Sequence, residues 1–130
     1  MRKWLTVTLV SAAALALSCG HGQILESITV QPASVTFLSP SATGSFQLTA
    51  LGIYAYPPAT QDISSQVTWK SDGPSVAVVS STGVVTISGT GDCGVANISA
   101  TVESDGNTII GYSTATVDNV NITNCPQVPP

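Results

Sequence analysis

VTWKSDGPSVAVVSSTGVVT, residues 67–86, is the stretch that decides the fold. Val67 and Trp69 are two positions apart, so an extended chain carries both on one face. Asp72-Gly73 then breaks the run, a pair in which Asp mainly stabilises a turn. Two β-branched runs follow, 76–80 and 83–88, on either side of Ser81-Thr82. Short apolar runs between turn residues read as strands, and no helical spacing of apolar residues interrupts them.

The same pattern extends in both directions. Towards the amino terminus, residues 27–31 and 34–38 read as one strand split at Pro32. Residues 45–51 follow, with Phe46 and Leu48 alternating with Gln47 and Thr49. Residues 66–70 carry Trp69, the natural core anchor, since a large indole in mid-strand usually packs inward. Towards the carboxyl terminus, residues 95–102 place Ala96, Ile98, Ala100 and Val102 on one face. Residues 109–117 close the series after Asp105-Gly106-Asn107. Asp-Gly is a strong hairpin signal because both residues tolerate positive φ. Counting the split strand once, seven short strands occupy about ninety residues. That spacing predicts an all-β, seven-stranded β-sandwich.

These segments resemble the bacterial Ig-like domains of group 2. The likeness rests on Trp69 followed by Ser71, the run Val76-Ala77-Val78-Val79, and Gly83-Val84-Val85 ahead of an apolar strand. LESITVQP (25–32) is similar to the opening strand of that family, SFQLTA (45–50) to its second and ANISAT (96–101) to its sixth. The resemblance covers residues 25–117 and implies an immunoglobulin-like sandwich. It implies no catalytic motif, and one fold hosts many functions.

The amino terminus reads differently. Met1-Arg2-Lys3 is basic, and residues 4–17 carry no charge. Fourteen residues are too few to span a bilayer, which takes about 20. A basic start, a short apolar core and a small residue at its end describe a secretory signal over residues 1–18. The competing readings are a buried N-terminal helix and an anchor that is retained. LALSC (15–19) resembles the lipobox of bacterial lipoproteins, although Ala16 stands where Leu is commonest. The resemblance implies a lipidated Cys19 (palmitate among its acyl chains) and removal of residues 1–18. Gly20 lacks the Asp linked to inner-membrane retention, so in a diderm organism the resemblance favours the outer membrane. Each buried methylene contributes about 0.8 kcal/mol, so two or more acyl chains anchor stably. Residues 19–24 become a tether, and the expected location is the bacterial cell envelope.

Cleavage leaves Lys70 as the single base against seven acids, one minus seven, a formal charge of −6. Such a surface has no basic patch for a phosphate backbone, which excludes nucleic acid as a partner. Charged residues are 8% of the whole chain and hydrophobic residues 43%. That balance is too apolar for a disordered chain.

Cys93 and Cys125 remain. On an Ig-like path, the loop containing Cys93 and the exit of the last strand lie at one end. A disulfide there would pin the Pro-rich tail, residues 118–130, to the sandwich. Closing a loop of about thirty residues contributes roughly 3–4 kcal/mol, less any strain. Two free thiols, or two ligands of a metal, are the alternative.

Little else in the chain carries chemistry. The one histidine, His21, lies in the tether, where nothing fixes it against a nucleophile. The carboxylates are too sparse for paired acid–base work. DNVN (118–121) vaguely resembles calcium-binding linkers without their full pattern. Asn97 and Asn121 head N-glycosylation patterns that a bacterial lipoprotein would not normally use. No enzyme, no cofactor and no resident metal are expected. GIYAYPPATQD (52–62) is the unusual element, read as a loop bearing Tyr54 and Tyr56. Tyrosine supplies contact area and a hydroxyl, so the pair suits a binding loop; the alternative is packing beneath the loop. Only five residues separate Cys19 from the end where this loop lies, a reach of at most roughly 20 Å, so the loop would face the membrane or the nearby wall and not the outside. The expected function is a lipid-anchored envelope module for protein or glycan binding and adhesion. The alternative is a structural or accessory lipoprotein with no binding loop of its own.

Overall fold

The computed structural model describes residues 22–39, 44–88 and 93–119. Ten strands run through them, and among the described residues there is no helix.

The longest pairing grows from the Asp-Gly signal. Asp105 and Gly106 take φ of 50° and 76°. They form the two-residue turn between β9 (Gly94–Ser104) and β10 (Asn107–Asn119). Positive φ at both positions matches the twist of a tight hairpin. The register starts at Asn107↔Ser104 and continues without a break to Val117↔Gly94. β6 (Thr68–Ser71) adds antiparallel to the other side of β9. β2 (Ser34–Ser39) pairs parallel with β10, which gives a four-stranded sheet in the order β2-β10-β9-β6.

The opposing layer is built around residues 45–55. Its lower part, β3 (Ser45–Gln47), pairs with β8 (Val84–Ile87), which pairs with β7 (Ala77–Val79). Its upper part, β4 (Thr49–Ala55), lies between β1 (Ile24–Gln31) and β5 (Ala59–Asp62). Leu48 joins the parts, fully buried, its N–H donating to Gly83 O at 2.8 Å. The first strand therefore contributes to both layers, β1 to one and β2 to the other. The switch is held by Ser113, which donates its hydroxyl to Pro32 O at 2.7 Å, and by Thr114 N–H to Ala33 O at 3.0 Å. β1 passes close over Gly111, where a Cβ would stand 2.7 Å from Ile28 O.

The result is an Ig-like β-sandwich. Strand alternation fills it: Leu25, Ile28, Val30, Leu48, Ala50 and Val85 face Ala96, Ile98, Ala100, Ala115 and Val117. Phe37 and Phe46 meet edge to face at 5.0 Å and tie β2 to β3 across the layers. Two readings of the sequence need correction. Residues 45–51 are two strands, because Leu48 turns its backbone to the 80–83 turn. Residues 52–62 are mostly strand, not loop: β4 continues to Ala55 because β1 supplies a partner register as far as Ile24↔Ala55. β5 is the strand that the sequence pattern does not reveal.

Candidate functional site

Trp69 sits beneath the 62–68 segment and is 8% exposed. Its indole N–H donates to Ser64 O at 3.0 Å. Ser64 is held in turn by Asp62, whose Oδ1 accepts from Ser64 N–H at 2.9 Å and Ser64 Oγ–H at 2.6 Å. Ala50 N–H donates to Ser64 Oγ, which links this turn to β4. The two bonds from Ser64 hold the Asp62 carboxyl below its ordinary range. On the other side of Trp69, Gly83 takes φ of 83° against the ring. Trp69 is thus a fully engaged core residue with no face left for a ligand.

Tyr54 and Tyr56 part company. Tyr54 lies within β4, between Leu25 and Ala59 in register, and its ring packs partly buried against the core. This placement supports packing, the alternative to a contact role for Tyr54. Tyr56 stands at the tip of the β4–β5 hairpin, 76% exposed, with φ of 52°. A left-handed backbone costs an ordinary L-residue roughly 1–2 kcal/mol, so this is an expensive place for an aromatic side chain. Pro57 and Pro58 beside it are exposed. Gln23 fastens the tip to the start of β1: its amide donates to Pro57 O at 3.3 Å and accepts from Gln61 at 2.8 Å.

Sequence reading passed over the outer face of the four-stranded sheet. Along β10 the buried positions are Gly111, Ser113, Ala115, Val117 and Asn119, so Ile110 and Tyr112 point outward. Tyr112 is 61% exposed and Ile110 is 42% exposed. Tyr112 pairs with Ser99, which pairs with Lys70, so one row across the sheet carries an aromatic ring, a hydroxyl and the only base of the described residues. The next row down runs Thr114, Asn97 and Asp72. Asp72 accepts from Asn97 N–H at 2.7 Å and Asn97 Nδ2 at 2.9 Å, and its own N–H donates to Asn97 O. These bonds hold the Asp72 carboxyl below its ordinary range and continue the β6–β9 ladder past Ser71. The signal for Tyr112 was present in the period-2 alternation of residues 109–117.

Cys93 immediately precedes Gly94, the register partner of Val117, so it stands at the end where β10 leaves the sheet. Cys19, His21, Asn121 and Cys125 lie outside the described residues. Among the described residues no three of His, Cys, Asp and Glu converge on a metal position. No helix among them is long and apolar enough to cross a membrane.

Comparison with known proteins agrees with this architecture. No curated protein matches the chain. The family model of the bacterial Ig-like domain (group 2) matches residues 24–110, from the first residue of β1 into β10. Domains of this kind occur in bacterial surface and extracellular proteins, typically as non-catalytic binding or structural modules. With well over half its length matched, the chain belongs to the bacterial Ig-like domains of group 2.

Proposed function

We propose that the protein is a lipid-anchored interaction module of the bacterial envelope. Cys19 carries the lipid, Cys93 pairs with Cys125, and the sandwich offers a protein or glycan partner the outer face of the β2-β10-β9-β6 sheet. The observation that carries this reading is Tyr112. It is 61% exposed in the middle of a regular strand, next to exposed Ile110 and in a row with Ser99 and Lys70. An aromatic ring on a rigid strand gives contact area at little cost in conformational entropy. The Tyr112 hydroxyl and the Lys70 ammonium supply directional bonds to sugar or peptide oxygens, while the Ser99 hydroxyl donates to Lys70 O at 3.3 Å. The cysteine assignment is supported by Cys93 being disulfide-bonded, in a chain whose other cysteines are Cys19 and Cys125. If the lipid occupies Cys19, Cys125 is the remaining partner.

The test is affinity capture from detergent-solubilised envelope with wild type, Tyr112→Ala and Tyr56→Ala in parallel. Partners held by wild type and Tyr56→Ala but lost from Tyr112→Ala support the sheet face. Loss from Tyr56→Ala alone moves the contact to the hairpin tip. A set of bound proteins and glycans indifferent to both substitutions favours the structural, accessory role. The intact mass from native membranes tests the anchor: a chain beginning at Cys19 plus acyl groups, gaining two hydrogens on reduction, is the expected result.

A further inference from the structure

The start of β1 and the tip of the β4–β5 hairpin form one continuous surface. Ile24 is in register with Ala55, and Tyr56 is the next residue. Gln23 is bonded to both Pro57 and Gln61, so the incoming chain is stitched to the tip. Ile24 is 51% exposed and Tyr56 76%, and Pro57 and Pro58 are exposed beside them. No side chain from Gly22 to Leu25 or from Leu51 to Gln61 carries a charge. An exposed apolar and aromatic tip without a single charge is unusual for a surface that meets only water.

The length of the chain ahead of this surface says what it meets. Four residues lie between Cys19 and Ile24, so the lead from Cys19 to Ile24 spans at most roughly 20 Å when fully extended. β10 alone has 13 residues, which as a strand run to about 40 Å. A lipid on Cys19 therefore holds the Ile24 end towards the bilayer; the far end cannot be brought round on so short a lead. We infer that Tyr56, Ile24, Pro57 and Pro58 seat the domain on the lipid surface, with the Tyr56 ring in the headgroup layer. This rests on the lipidation of Cys19 proposed above. A tyrosine suits that depth because its ring is apolar and its hydroxyl stays hydrated.

The charges at the same end define the lipid and the tilt. β10 runs parallel to β2, hence in the direction of β1, so the Asp105–Gly106 turn shares the end of Tyr56. Asp105 and Glu103 make that second tip acidic. The acidic tip stays in water while the uncharged one seats, and the attraction is to a zwitterionic surface, with little dependence on salt. Seating leaves the Tyr112 face standing sideways above the bilayer and the Cys93 end pointing away.

The experiment anchors the protein chemically, so that it does not depend on lipidation in the cell. The chain from Cys19 to Pro130 contains every described residue and the whole family match. Its Cys19 thiol is coupled, without reductant, to a maleimide lipid in phosphatidylcholine vesicles containing lipids brominated near the headgroup. Trp69, buried, supplies the background fluorescence. Tyr56→Trp is expected to raise bromine quenching roughly twofold or more over the parent, as an indole in the interface would. Tyr112→Trp is expected to leave quenching at the parent level. Ile24→Ser added to Tyr56→Trp should reduce the quenching. Equal quenching of the Tyr56→Trp and Tyr112→Trp proteins, or none in either, overturns the seating. The mass measurement on native protein reports the lipidation reading separately: an unmodified Cys19 sinks that reading whatever the vesicles show, while an acylated Cys19 with no quenching sinks the seating alone.

Discussion

Gly83 lies directly over the indole of Trp69. A Cβ built on Gly83 would stand 2.9 Å from Trp69 Cζ2 and 2.9 Å from Leu48 O, at a φ of 83°. The turn that carries Gly83 also accepts Leu48 N–H, so glycine, tryptophan and the break between β3 and β4 are one packing unit.

Gly83→Ala should therefore destabilise the domain by about 2–4 kcal/mol, combining a left-handed backbone with overpacking against a ring and a carbonyl. Urea unfolding monitored by Trp69 fluorescence reads this directly. A loss under about 1 kcal/mol would mean that the turn relaxes freely, contrary to the packing described.

Low pH should weaken the fold through Asp62 and Asp72. Both carboxyls are held below their ordinary value of 3.8 by hydrogen bonds, from Ser64 and from Asn97. A depressed folded pKa contributes stability that is fully present above the unfolded value. That stability is lost as pH falls through the folded one. Unfolding midpoints measured from pH 7 downward should hold steady to about pH 5 and then fall. The fall should be shallower in Asp62→Asn and in Asp72→Asn. An unchanged slope in both variants would count against these bonds.

Tyr56→Asn should leave the domain as stable or make it more stable by about 1 kcal/mol, because asparagine tolerates the left-handed backbone better. Thermal unfolding of the two proteins checks this. A clear loss of stability would show that the exposed ring has a structural partner.

If a disulfide closes the loop from Cys93 to Cys125, as proposed, removing it should cost roughly 3–4 kcal/mol. Cys125→Ser without reductant and wild type with reductant should then unfold at the same urea concentration. Wild type and Cys125→Ser unfolding together in the absence of reductant would assign Cys93 another partner.

Much of this architecture is local chemistry written in residue order. The alternation of Ala96, Ile98 and Ala100 can bury only one face of a strand, and Asp105-Gly106 can turn only one way between β9 and β10. Trp69 and the Gly83 turn follow from the same local rules, which is why the family resemblance rests on them. The fate of residues 52–62 was not written locally. Ile53, Tyr54 and Ala55 show no clear alternation, and whether they continue a strand depends on a partner twenty-five or more residues away. Once β1 supplies that register, Tyr54 turns to the core and Tyr56 is left at the tip. Tyr112 was legible by contrast: the Asp105-Gly106 turn sets Gly111, Ser113 and Ala115 opposite Ala100, Ile98 and Ala96, so period two puts Tyr112 on the other face. For Tyr54 and Tyr56, pairing across the sequence and not propensity within it chose which one meets the solvent.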